Sequence, residues 1–221
     1  SILGFVASIQ VSLLKIVKEG DWIEMPKYNA DGTILDINIS SIRVQNWDKT
    51  ITTIPTYALV SEPVKNWQGM ESSNCRRIKR KIHLDIKSIQ FCDDELLEKC
   101  RKINHLNQYL NESLIEISNN NKVKKNNDEQ INIRALTNIG LFRNYLNTYI
   151  KEHPKINNQA TILIRQLQSN EYGVPIEVYC FTSTTDLIEY EAIQSDIFDH
   201  IFSILDTFKL RPYQLPVKLA K

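Results

Sequence analysis

Apolar residues recur along this chain at two spacings: every third or fourth position in some stretches, every second in others. Residues 1–14, SILGFVASIQVSLL, are uncharged and mostly apolar, and Lys15 ends the run. Read as a helix, they carry a stripe of small residues, Gly4, Ala7, Ser8 and Ser12, at spacings of three and four. Such a stripe lets helix backbones approach closely in a membrane bundle. A buried core helix accounts for the same run equally well. The run falls short of the roughly 18–20 residues that cross a bilayer.

After Gly20-Asp21 the period changes to two. Leu35, Ile37 and Ile39 alternate with Asp36, Asn38 and Ser40, and Ile42 and Val44 with Arg43 and Gln45. That alternation marks antiparallel strands with one buried and one wetted face. Asn-Ala-Asp-Gly at 29–32 predicts a turn, with Gly32 supplying any positive φ. Asp48-Lys49 turns a hairpin, residues 50–54 alternate as a strand, and Pro55 halts it. With a last strand near 64–67, residues 18–67 are predicted to form a small five-stranded β-barrel, whose closure removes most exposed edges. Residues 68–75 are a polar joint.

The remainder, 76–212, mixes the two periods. Ile78, Ile82, Leu84 and Ile86 predict a strand, and Asp93-Asp94 a helix cap. The helix that follows would bury Leu96, Cys100, Ile103, Leu106, Leu110, Leu114 and Ile117. SNNNKVKKNNDE is a loop by composition. Residues 137–152 predict a helix with Ile139, Phe142, Leu146 and Tyr149 on one face, stopped at His153-Pro154. Strands at 160–168 and 174–182 flank a turn at 170–173. Asp186, with Glu189 three residues on, caps a long helix whose stripe is Tyr190, Ile193, Ile197, Ile201, Ile204 and Phe208. A short strand at 214–219 ends an α+β order, βαββαβ apart from the helix in 92–134, which is the ferredoxin-like split-βαβ unit.

Composition narrows the chemistry. The chain has 221 residues and a net charge of +1, which gives no reason for bulk nucleic-acid binding. Cys75, Cys92, Cys100 and Cys180 form no C-x-x-C pair or zinc spacing. Asp196, Asp199 and His200 share what reads as the exposed side of the last helix, and Asp196 and His200 stand there at i,i+4, but a third metal ligand is not evident. His83, His105 and His153 have no carboxylate or cysteine at ligand spacing. No serine sits in a nucleophile motif, so no enzyme and no cofactor are expected. The one local concentration of charge is Arg76, Arg77, Lys79, Arg80 and Lys81. Alternation puts Arg77, Lys79 and Lys81 on one strand face and Arg76 and Arg80 on the other. A solvated strand, an anion-attracting lining and a nucleic-acid contact all fit that run.

One further pattern is longer than any motif. GDWIEMPKYNADGTILDINISSIRVQNWDKTITTIPTYALVSEPVKNWQG closely resembles the β-domain of small-conductance mechanosensitive channels, of the miniconductance branch in particular. TNIGLFRNYLNTYIKEHPKI, RQLQSNEYGVPIEVYCFT and YEAIQSDIFDHIF resemble later segments of that branch, so the likeness covers nearly all of 1–219. The resemblance implies a homo-heptamer in the bacterial cytoplasmic membrane, with this part in the cytoplasm. Residues 1–17 would be the end of a pore-lining helix lying along the membrane lipid. An Sm-like barrel at 18–67 and the αβ domain would enclose a vestibule with side portals, through which ions pass the basic run. Ile54-Pro55-Thr56 would be the joint that turns the chain toward the neighbouring subunit. Leu215, Val217 and Leu219 in the tail at 213–221 would gather with other copies into a small parallel barrel. Residues 92–134 are an insertion relative to smaller members. The reading from a different class is a soluble Sm-like or ferredoxin-like module binding RNA or a small ligand, against which stand the apolar start and the lack of a base-stacking aromatic pair.

Overall fold

The computed structural model describes residues 5–6, 9–10, 16–122 and 133–215, and it divides the chain into two units, 1–74 and 75–221. In the first, residues 5, 6, 9 and 10 are helical and exposed. The expected helix does not reach residue 17: residues 16–18 have no regular structure, and Val17 is buried in the core of the sheet.

That sheet contains β1 (Trp22–Met25), β2 (Ala30–Ile37), β3 (Ser41–Asn46), β4 (Ile51–Pro55) and β5 (Lys65–Asn66). All pairings are antiparallel and the order is β4-β3-β2-β1-β5. Two short helices, α1 (Ala58–Ser61) and α2 (Gln68–Ser72), flank β5. The expected barrel closure is absent among the described residues, because β4 and β5 are the two free edges of an open sheet. Two-residue β5 offers too short a ladder to bridge back, and Pro55 has no N–H to extend β4. Ile23, Met25, Ile34, Ile42, Val44 and Ile54 fill the core.

Two local expectations change. The strand pairing of β2 and β3 shifts between Ile34 and Asp36. This bulge lets Ile34 and Ile37, three apart, both turn toward the core, while Leu35 and Ile39, also expected inward, are exposed. The turn before β2 uses Asn29, at φ 50°, and not Gly32. Gly32 lies inside β2, where a Cβ would come within 1.9 Å of the Gln45 carbonyl oxygen. The hairpin at Asp48-Lys49 forms, with Lys49 at φ 70° and Asp48 accepting from the backbone and hydroxyl of Thr50.

The second unit has a three-stranded antiparallel sheet of β6 (Arg76–Leu84), β7 (Leu163–Gln166) and β8 (Val174–Thr182), in the order β6-β8-β7. Where the sequence predicts one helix after residue 93, there are two: α3 (Asp94–Arg101) and α4 (Asn107–Lys122), joined through a 3-10 turn at Asn104–Leu106. Then come α5 (Asn138–Glu152) and α6 (Leu187–Ser203). Asp93, Thr137 and Asp186 each accept a backbone N–H three residues on, which fixes the starts of α3, α5 and α6. Ile78, Ile82, Val174, Ile176, Val178 and Cys180 bury one sheet face against Leu96, Leu106, Phe142, Leu146, Ile197 and Phe208. In place of a fourth strand stands a single bridge, Leu84 to Pro212. Gln214 and Leu215 are exposed and outside any strand, and Val217 and Leu219 lie outside the described residues.

Candidate functional site

Strand alternation on β6 separates the five cations. Arg76 and Arg80 lie on the side that carries the buried Ile78 and Ile82. Their guanidinium carbons sit 4.7 Å from the ring centre of Tyr190 and 4.4 Å from that of Phe198, both on α6. These are cation–π contacts, so the two arginines belong to the packing of α6. Tyr190 also donates its hydroxyl hydrogen to the Arg77 carbonyl oxygen at 3.0 Å, and burial raises its phenol pKa.

The opposite face of the sheet carries the other side chains of β6 and β8. Arg77, Lys79 and Lys81 are exposed there, and the register sets them across from Phe181, Tyr179 and Glu177 on β8. On the far side, Leu163 and Arg165 of β7 pair with Tyr179 and Glu177. Glu177 is buried, and Arg165 reaches it at 2.7 Å. Tyr179 and Phe181 are half-buried, their rings 5.6 Å apart, and Arg77 lies 5.9 Å from the Tyr179 ring centre. An aromatic pair thus sits beside three cations. Sequence reasoning missed it, although the alternation of residues 174–182 carried the signal.

A second cluster corrects an expectation. His200 is not on the solvent side of α6 with Asp196 and Asp199. It stacks on Tyr149 at 4.2 Å between ring centres, and its Nε2 lies 2.8 Å from the Tyr145 hydroxyl. His105 Nδ1 is 3.1 Å from Glu152, and His153 Nε2 is 4.0 Å from Asp196. Burial lowers the pKa of His153 and His200 despite the nearby Asp196, and raises those of Tyr145 and Tyr149. No group of three or more His, Cys, Asp or Glu side chains able to hold a metal occurs among the described residues.

The other singled-out residues have plain surroundings. Ile54 and Thr56 are fully buried. The Thr56 hydroxyl donates to the Asn38 carbonyl oxygen at 2.8 Å, and the turn after Pro55 leads directly into α1. Gly4, Ala7, Ser8 and Ser12 lie outside the described residues. Burial raises the thiol pKa of Cys92 to about 12, of Cys100 to about 11 and of Cys180 to about 12, which removes them as nucleophiles. A depression of about 370 Å³ on the first sheet is lined by Glu24, Asp31, Asn46, Trp47 and Asp48 among others. Its acids are engaged: Asp31 accepts from the indoles of Trp22 and Trp47, Glu24 pairs with Lys65, and Asp48 holds Thr50. No described helix is long and apolar enough to cross a membrane.

Comparison with known proteins supplies what the geometry does not name. Residues 1–69 match the family model for the mechanosensitive ion channel beta-domain, and residues 127–211 that for the mechanosensitive ion channel MscS C-terminal domain. An uncharacterised MscS family protein of Helicobacter pylori is 23% identical over 214 residues, covering 94% of this chain but 30% of that protein. The low conductance mechanosensitive channel YnaI of Escherichia coli is 22% identical over 204 residues, covering 92% of this chain and 45% of its own length. The chain therefore spans less than half of either relative. In fold, it resembles Arabidopsis thaliana MSL1, with a TM-score of 0.62 at 11% identity over 97% of this chain and 59% of that one. It also resembles Helicobacter pylori MscS in the closed state, with a TM-score of 0.59 at 14% identity over all of this chain and 66% of that one. The beta-domain match falls on the first unit and the C-terminal match on the second, and on that pairing the chain belongs to the small-conductance mechanosensitive ion channel family.

Proposed function

We propose that this chain is the cytoplasmic vestibule portion of a tension-gated channel in a bacterial inner membrane, one that releases solutes during hypo-osmotic shock. The observation that carries this reading is the match of two channel domains, in order, to the two units of the chain. The copies assemble as a homo-heptamer. Its first unit is an open variant of the Sm-like barrel, and its second is a ferredoxin-like fold short of its fourth strand. Of residues 1–17, the run 1–14, with Gly4, Ala7, Ser8 and Ser12 as the packing stripe, meets neighbouring helices and lipid, while Val17 anchors in the first unit's core. Ile54-Pro55-Thr56 directs the chain toward the next subunit, and Leu215, Val217 and Leu219 join the tails. Of the basic run, Arg77, Lys79 and Lys81 are exposed and bias the passing ions, while Arg76 and Arg80 hold α6.

The exposed apolar side chains support assembly. Trp47, Ile51 and Val60 in the first unit and Ile188 in the second are poorly covered in a single copy. The test is patch-clamp recording of the full-length gene product in cells stripped of their own mechanosensitive channels. Suction is expected to open a discrete conductance. A protein that reaches the membrane yet opens at no tension below patch rupture overturns the proposal.

A further inference from the structure

We propose that the β6-β8-β7 sheet binds a nucleoside polyphosphate on the face that carries the exposed Arg77, Lys79 and Lys81, with its base against Tyr179 and Phe181 and its phosphates on those three cations. This goes beyond the channel reading and does not depend on it. The face has one acid, Glu177, which is buried and already neutralised by Arg165. Among the described residues Lys79 and Lys81 have no acidic partner, and the Arg77 guanidinium lies over the Tyr179 ring. The surplus charge therefore points to an anion.

Spacing indicates its size. Alternate residues on a strand are about 7 Å apart, so Arg77 to Lys81 spans about 13 Å. That span suits a chain of phosphates better than a single inorganic ion. Arginine grips phosphate with two parallel hydrogen bonds, and lysine adds point charges. The neighbouring strand lies about 5 Å away, and the register places Tyr179 directly across from Lys79 and Phe181 across from Arg77. A passing inorganic anion has no use for two half-buried rings, whereas a purine or pyrimidine stacks on them. The near-neutral chain and the short aromatic row weigh against a nucleic-acid strand, which would need a longer basic track.

The test is isothermal titration of the 221-residue chain with ATP, inorganic tripolyphosphate and adenosine at low salt. ATP is expected to bind about tenfold more tightly than tripolyphosphate, the stacking contribution, with adenosine weaker than both. Lys79→Gln with Lys81→Gln, both at exposed positions outside the core, should weaken ATP and tripolyphosphate by about tenfold. Tyr179→Leu should weaken ATP while leaving tripolyphosphate unchanged. Equal affinity for ATP and tripolyphosphate on the unaltered chain reduces the face to a counter-ion surface and overturns the proposal, even if Tyr179→Leu fails to fold. So does undetectable binding of ATP. A short single-stranded RNA that binds more tightly than ATP replaces the proposed ligand with nucleic acid.

Discussion

Asn138 holds the second unit together at a place no charge or apolar pattern marks. It is fully buried at the start of α5. Its side-chain amide donates to the Ser88 carbonyl oxygen at 2.8 Å and accepts from the Gln90 N–H at 3.0 Å. Its own backbone N–H donates to the Gln90 carbonyl oxygen at 3.0 Å. One side chain thus ties the segment after β6 to the helix that packs across the sheet. Asn138→Ala leaves the backbone bond but strands the Ser88 carbonyl in a buried site and the Gln90 N–H in a partly buried one. A buried group left without a partner costs about 1–3 kcal/mol. The partly buried N–H costs less, and the small cavity adds to the total, which comes to about 2–4 kcal/mol. For a domain of this size that lowers the midpoint of thermal unfolding by roughly 5–15 °C.

The comparison is Asn144→Ala on the same helix. Asn144 is half-buried and its side-chain amide donates to the Gly140 carbonyl oxygen of its own helix, so loss of that side chain should cost no more than about 1 kcal/mol. The longer helices lie in the second unit, and Trp22, Trp47 and Trp67 lie in the first. Far-ultraviolet circular dichroism therefore follows the former and tryptophan fluorescence the latter. If the circular-dichroism midpoints of Asn138→Ala and Asn144→Ala coincide, the clamp contributes nothing and the reasoning fails.

In the first unit, Gly32→Ala drives a Cβ into the backbone of β3, at 1.9 Å from the Gln45 oxygen. A cost of about 3 kcal/mol, the upper end of overpacking penalties, should move the tryptophan-fluorescence transition to lower denaturant. Gly69→Ala, with open space around it, should not, and equal midpoints for the two variants would refute the close approach. The second unit should lose stability in mild acid. Because burial lowers the pKa of His153 and His200, the unfolded chain binds protons first. Stability complete above about pH 6.5 is then lost as pH falls from there through the lowered folded values. Urea midpoints measured by circular dichroism at neutral pH and near pH 5.5 check this. His200→Gln should flatten the slope, and a midpoint insensitive to pH in the unaltered chain would remove the histidines from the account.

Some features of this protein follow from residues only a few positions apart, and those are legible in the sequence. The caps at Asp93 and Asp186 each need only a side-chain oxygen and an N–H three residues on. The Asp48-Lys49 hairpin needs only Thr50 to satisfy Asp48. Alternation along β6 alone separates Arg76 and Arg80 from Arg77, Lys79 and Lys81. Other features depend on which strand or helix arrives from a distance, and periodicity is silent there. Whether Ile34 or Leu35 faces inward was decided by a bulge against β3. Gly32 is required by the approach of Gln45, thirteen positions on, and not by its own turn. The open first sheet reflects how little of residues 64–67 pairs with β1. His200 looks solvent-facing on its helix until α5 brings Tyr145 and Tyr149 over it. Tyr179 and Phe181, two positions apart on one strand, came to lie beside three cations only when β8 took its register against β6, because burial and neighbourhood across strands belong to the assembled sheet.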